Sequence, residues 1–158
     1  MWYPVRNMKV VFLDFDGVLN SYPFLKQQPH RMDRLDPAAV GRLNRILARS
    51  GAKVVISSSW RVHHSLEELR RRLGEVGFAG EVIDQTPDIS WEEYGDPFRG
   101  RAVEIQSWID RQRQPLESFV VLDDLYLEEL AQFLVKTEFE AGLGDEHVEA
   151  ALAILGET

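Results

Sequence analysis

Residues 9–20, Lys-Val-Val-Phe-Leu-Asp-Phe-Asp-Gly-Val-Leu-Asn, constrain the fold more than any other stretch of the chain. Val10 to Leu13 is apolar, β-branched and aromatic without helical spacing, so it reads as a buried strand. The run ends on Asp14, Asp16 and Gly17. Two carboxylates at the end of a buried strand are costly unless a cation or hydrogen-bond donors keep them charged. In an open α/β sheet the carboxyl ends of strands form the ligand crevice, and Gly17 lets the chain turn sharply there. Such a pair is suited to phosphoryl chemistry. Asp14 can attack phosphorus, Asp14 and the Phe15 carbonyl can face a Mg²⁺ ion, and Asp16 can protonate a leaving oxygen and then activate water.

Further apolar runs at 53–56, 81–84, 119–122 and 134–136 read as strands, and helical patterns alternate with them. Asp36-Pro37 caps a helix that reaches Ser50-Gly51. Ser65 and Glu68 form a capping box for the next. Helices are also expected over 101–113, 127–133 and 145–155. Residues 21–33 and 85–99 read as loops, and the second, with Trp91 and Tyr94, is long enough to be functional. Arg42, Arg45 and Arg49 read as a solvated helix face. The predicted fold class is α/β: a mainly parallel central sheet of about five strands covered by helices on both faces. Parallel strands would then bring three polar ends to one sheet edge: Asp14/Asp16, Ser57/Ser58 and Asp123/Asp124.

Val-Phe-Leu-Asp-Phe-Asp-Gly-Val-Leu-Asn resembles the first motif of the haloacid dehalogenase (HAD) superfamily of phosphatases. The resemblance implies a HAD-like Rossmannoid three-layer sandwich and a Mg²⁺ cofactor, with Asp14, Asp16, Asp123 and Asp124 as the metal-binding acids. It implies a second-motif hydroxyl that donates to a phosphate oxygen, either Ser57 or Ser58, with Ser57 favoured. The third-motif cation, usually Lys, would be Arg99 or Arg101 here, and Arg101 is preferred because it stands just inside the predicted helix. Asp123-Asp124 matches the fourth motif. One acid would bind Mg²⁺ directly, with Asp124 favoured, while the other acts through water or orients a cation.

A closer likeness runs through Val-Ile-Ser-Ser-Ser-Trp-Arg, Glu-Ile-Gln-Ser-Trp-Ile, Val-Val-Leu-Asp-Asp-Leu and Glu-His-Val-Glu-Ala-Ala-Leu-Ala-Ile-Leu. These segments are similar to the small HAD domains of bacterial RNA-repair proteins, which are thought of as polynucleotide end phosphatases. Arg61 is a candidate substrate contact beside Trp60, whereas adjacent His63 and His64 make a poor metal pair. Neither loop is long enough for a folded cap domain, so an open site suited to a bulky phosphomonoester is expected. The expected function is a Mg²⁺-dependent phosphatase working through an aspartyl-phosphate, on a polynucleotide end or a similar substrate. The alternatives are a small-molecule or nucleotide phosphatase, and a catalytically idle phosphate-binding module that acts through a partner.

The chain has 158 residues, which predicts one domain over 1–158. Its net charge of −8 argues against broad nucleic-acid binding but leaves room for a local basic groove. With no cysteine there is no disulfide framework, thiolate metal site or cysteine nucleophile. No apolar run approaches the ~20 residues of a membrane span, and the N-terminal residues lack the apolar core of a signal peptide. A cytoplasmic setting, no membrane contact and no stable protein partner are the expectations.

Overall fold

The computed structural model describes residues 7–28, 34–89 and 97–158. Strand β1 (Lys9–Leu13) is the middle of a five-stranded sheet. It pairs on one side with β2 (Lys53–Ile56) and on the other with β4 (Ser118–Asp123). β3 (Val82–Gln85) flanks β2, β5 (Leu134–Lys136) flanks β4, and every pairing is parallel. The strand order is therefore β3-β2-β1-β4-β5.

Alternation along the strands divides the core in two. Val11, Leu13, Val54, Ile56, Val120 and Leu122 pack with α2 (Pro37–Ser50), α3 (Leu66–Glu75) and α5 (Asp145–Leu155). Val10, Phe12, Val55 and Val121 pack with α4 (Pro97–Asp110) and a 3₁₀ segment, Glu128–Phe133. The outcome is the expected three-layer α/β sandwich, and no large cap stands among the described residues. No helix among them is long and apolar enough to cross a membrane.

Several helix ends follow their local chemistry. Asp36 caps α2 by accepting from the Ala38 N–H at 3.0 Å, and Gly51 ends it at φ 77°. Ser65 caps α3 through the Glu68 N–H at 3.1 Å. Two expectations need correction. A short helix, α1 (Tyr22–Lys26), forms where a loop or short irregular segment was expected, because Ser21 caps it with Pro23 in its first turn. α4 starts earlier than 101, since Pro97 is a preformed first-turn residue, and it ends at Asp110 rather than 113. The short helix expected over 127–133 is a 3₁₀ segment. The arginines of α2 are partnered rather than merely solvated: Arg42 and Arg45 reach Asp145, and Arg49 reaches Glu149, all toward α5. Trp91 and Tyr94 lie outside the described residues.

Register positions the chemistry. Leu13 stands level with both Ile56 and Leu122. The next residues, Asp14, Ser57 and Asp123, therefore reach the carboxyl edge of three neighbouring strands together. The chain runs outward from β1 to β3, then returns to β4 on the other side of β1. That reversal makes the crevice between β1 and β4 the switch point where α/β sheets bind ligands.

Phe12 tests this core. It is fully buried and meets Trp108 and Phe119 edge-on at 5.5 and 5.7 Å. Phe12→Ala is expected to lower unfolding stability by about 3–5 kcal/mol in urea titrations. An unchanged midpoint would contradict the two-cluster core.

Candidate active site

At the crevice, one oxygen each from Asp14, Asp123 and Asp124 lies within 4.8 Å of the others. Asp14 and Asp123 are buried, and Asp124 is half-buried. Among the described residues one guanidinium faces this trio: Arg101 Nη1 is 2.6 Å from Asp123 Oδ2 and 3.6 Å from Asp14 Oδ2. Three carboxylates against one guanidinium leave an excess of two negative charges when all are ionised. Burial, with Asp123 beside it, pushes the Asp14 carboxyl well above the usual range, and burial also raises Asp124. Burial alone would weaken the charge on Arg101, but Asp14 and Asp123 outweigh it and hold the guanidinium protonated.

The loop after β1 is closed by its own side chains. Asp14 Oδ1 accepts from the Phe15 N–H at 2.8 Å. Asn20 Oδ1 accepts from the Gly17 N–H at 2.9 Å, and its Nδ2 donates to Asp16 Oδ1 at 3.0 Å. Gly17 sits at φ 81°, and a Cβ there would fall 2.3 Å from Asp124 Oδ2. Glycine is thus required both by the turn and by the approach of the Asp124 carboxylate. Thr137, just beyond β5, donates to the Gly17 carbonyl at 2.6 Å and ties this loop to β4 through the Asp123 carbonyl.

Asp16 is held apart from the acidic trio. Trp60 Nε1 donates to its Oδ2 at 2.9 Å while Asn20 holds Oδ1. Asp16 was expected among the metal-binding acids; both of its oxygens accept from fixed donors, and the acids whose oxygens converge are Asp14, Asp123 and Asp124. The Phe15 carbonyl is likewise taken, by the N–H groups of Val18 and Leu19.

The two serines separate. Ser57 Oγ is buried and has no hydrogen-bond partner among the described residues, at the strand end next to Asp14. Ser58 Oγ accepts from the Trp60 N–H at 3.2 Å and caps the 3₁₀ turn Ser59–Val62, which fixes it as a local structural residue. Arg99 and Arg101 also separate. Two residues apart on a helix point in different directions, so Arg99 is exposed while Arg101 turns to the acids.

Arg61, expected as a substrate contact, commits its guanidinium to protein partners. Its guanidinium donates to the carbonyls of Ser58, Thr86 and Pro87 and to Glu104 Oε2 at 2.5 Å. Only 9% exposed, it ties the turn after β2 to α4. Burial lowers its pKa and raises that of Glu104, and their mutual charge opposes both shifts. Glu104 lies one helical turn after Arg101, so this buried pair anchors the helix that carries the cation.

Asn20, Trp60, Glu104 and Thr137 were not singled out in these supporting roles. Thr137 stands next to a predicted strand end and Asn20 closes the segment after the first, where short polar side chains bond nearby backbone. Glu104 opens the Glu-Ile-Gln-Ser-Trp-Ile segment, but nothing local to it points to Arg61.

A parallel five-stranded sheet with this arrangement at the β1/β4 switch defines a HAD-type α/β domain. The family model described as the HAD domain in Swiss Army Knife RNA repair proteins matches residues 10–148, and the chain belongs to that family. Membership points to phosphohydrolase-type chemistry. No match to the chain is found among curated proteins or among solved structures.

The raised Asp14 pKa has a consequence with a definite sign. The folded, metal-free chain holds a proton that the unfolded chain has lost, so stability falls as pH rises from about 4 through the raised folded value. Without metal, Asp14→Asn is expected to match the parent near pH 5 and to melt a few degrees higher near pH 8. A parent chain that keeps pace with the variant up to about pH 8 would contradict the crowded-acid description.

Proposed function

We propose that this chain is a Mg²⁺-dependent phosphatase that works through an aspartyl-phosphate, with a phosphomonoester at a polynucleotide end as its substrate. One observation carries the reading: three acids crowd around one arginine at the end of the central strand, in a chain of the HAD family. The excess of two negative charges and the all-oxygen donor set suit a hard divalent cation. Asp14, Asp123 and Asp124 would hold it, with Asp124 the direct ligand, since Asp123 already serves Arg101 and the Leu125 N–H. When bound, Mg²⁺ supplies charge neutralisation that lets an anionic nucleophile meet an anionic phosphate.

Asp14 attacks phosphorus in line, forming the acyl-phosphate bond as the ester P–O bond breaks. Asp16, steered by Trp60 and Asn20, gives its proton to the departing oxygen. Water then attacks the same phosphorus, Asp16 takes the proton, and the bond to Asp14 breaks to release phosphate. Arg101 and the Ser57 hydroxyl hold the equatorial oxygens, where transition-state charge accumulates. The free Ser57 Oγ supports that role.

The polynucleotide end rests on two supports. The family is described from RNA-repair proteins, and no large cap narrows the site among the described residues. A cytoplasmic setting accords with the lack of cysteine.

Phosphate release from p-nitrophenyl phosphate and from a 3′-phosphorylated oligonucleotide tests the reading. The parent chain is expected to turn over both with Mg²⁺ and neither with EDTA. Asp14→Asn should lose all measurable turnover, and Ser57→Ala should fall about 10–100-fold. Parent-like activity in Asp14→Asn would overturn the covalent scheme.

A further inference from the structure

We propose that the open groove between α1 and α3 receives the sugar–phosphate backbone of the polynucleotide whose terminal phosphate reaches Asp14. This rests on the phosphatase reading and identifies where the leaving group lies. The groove has a volume of about 440 Å³, and Phe24, Arg34, Arg71, Arg72 and Glu75 line it.

Both walls lead to Asp16. On one side, Asn20 Nδ2 donates to Asp16 Oδ1 and, at 3.2 Å, to the Arg34 carbonyl. On the other, Trp60 donates to Asp16 Oδ2 and carries the Arg72 guanidinium over its ring at 5.5 Å. The residue that protonates the leaving oxygen must face the body of the leaving group. Arg34 and Arg72 line the groove and are joined to Asp16 through Asn20 and Trp60, so the body of the leaving group extends along it.

Its chemistry fits a polyanion. Among the described residues three guanidiniums and one carboxylate line it, with Glu68 3.8 Å from Arg71 and 3.9 Å from Arg72, in a chain whose net charge is −8. Arg71 pairs with Glu75 and, at 3.8 Å, with Glu68, but all three side chains are substantially exposed. Exposed pairs of this kind are weak and exchange readily for phosphate. Phe24 adds an apolar surface of the type on which unpaired bases stack. A phosphopeptide, with its single phosphate, would leave most of this cationic surface without a counterpart.

The test uses the whole chain carrying Asp14→Asn, so that the probe survives. Fluorescence anisotropy with a short 3′-phosphorylated single-stranded RNA is read in Mg²⁺ across a salt series. Adding Arg34→Glu with Arg71→Glu should weaken binding by about tenfold or more and flatten the salt dependence. A charge-matched control, Arg111→Glu with Arg113→Glu, lies beyond α4 and should shift affinity less than about twofold. If the groove pair fails to fold, Arg34→Ala with Arg71→Ala provides the same comparison. Equal losses in the groove pair and the control would overturn the inference, as would tighter binding of a phosphopeptide or no RNA binding at all. The same chains with Asp14 restored, assayed on p-nitrophenyl phosphate, separate the two claims. Turnover without RNA binding overturns the groove alone. No turnover overturns the phosphatase reading and this inference with it.

Discussion

The crowding of Asp14, Asp123 and Asp124 around the Arg101 guanidinium is the interaction on which the rest of the architecture depends. Buried like charges at this separation repel strongly, and the chain tolerates them only because the fold fixes their carriers independently. Asp14 and Asp123 leave neighbouring strands locked in register by a fully apolar core. Asp124 is brought in by the lack of a side chain at Gly17. The cation arrives from the opposite layer, on α4. The site thus depends on both helical layers meeting the same sheet edge.

A second ring of contacts turns this crowded edge into an oriented one. Trp60 and Asn20 hold one oxygen each of Asp16, so the acid two residues after Asp14 has one direction. Trp60 is itself set by packing edge-on against Phe15 at 5.1 Å. The buried Arg61–Glu104 pair joins the turn after β2 to the helix that carries Arg101, and the Ile89 N–H donates to the same Glu104 oxygen at 2.9 Å. Removing either partner would leave the other charge buried without its counterpart. These contacts join the segments that carry Ser57, Asp16 and Arg101, the three groups assigned to one phosphoryl group in the proposed mechanism.

Much of this was legible in the sequence, for a physical reason. Apolar β-branched runs that end abruptly in Asp or Ser mark both a buried strand and its polar edge, so β1, β2 and β4 and their terminal residues could be placed before any coordinates. The boundaries of α4 were less legible because Pro97 serves equally as a loop residue and a helix starter. Ser57 and Ser58 are indistinguishable by type, and only the hydrogen bond from Trp60 to Ser58 separates them. Arg61 looked like a ligand group beside an aromatic residue. Its true partner, Glu104, lies 43 positions away, a pairing that no local pattern encodes. Asp16 was expected to serve the metal cluster. The donors that hold it elsewhere include an indole from another strand's loop, which is equally invisible in local sequence.

In the proposed mechanism Asp14 takes the phosphoryl group, and the residues around it are placed to support its attack. Acid-quenching the full chain during turnover in Mg²⁺, followed by peptide mass spectrometry, tests it most directly. The account predicts one phosphoryl group on the peptide carrying Asp14, absent when Asp14→Asn is used. Steady turnover with no adduct at Asp14, or an adduct on Ser57 instead, would contradict it.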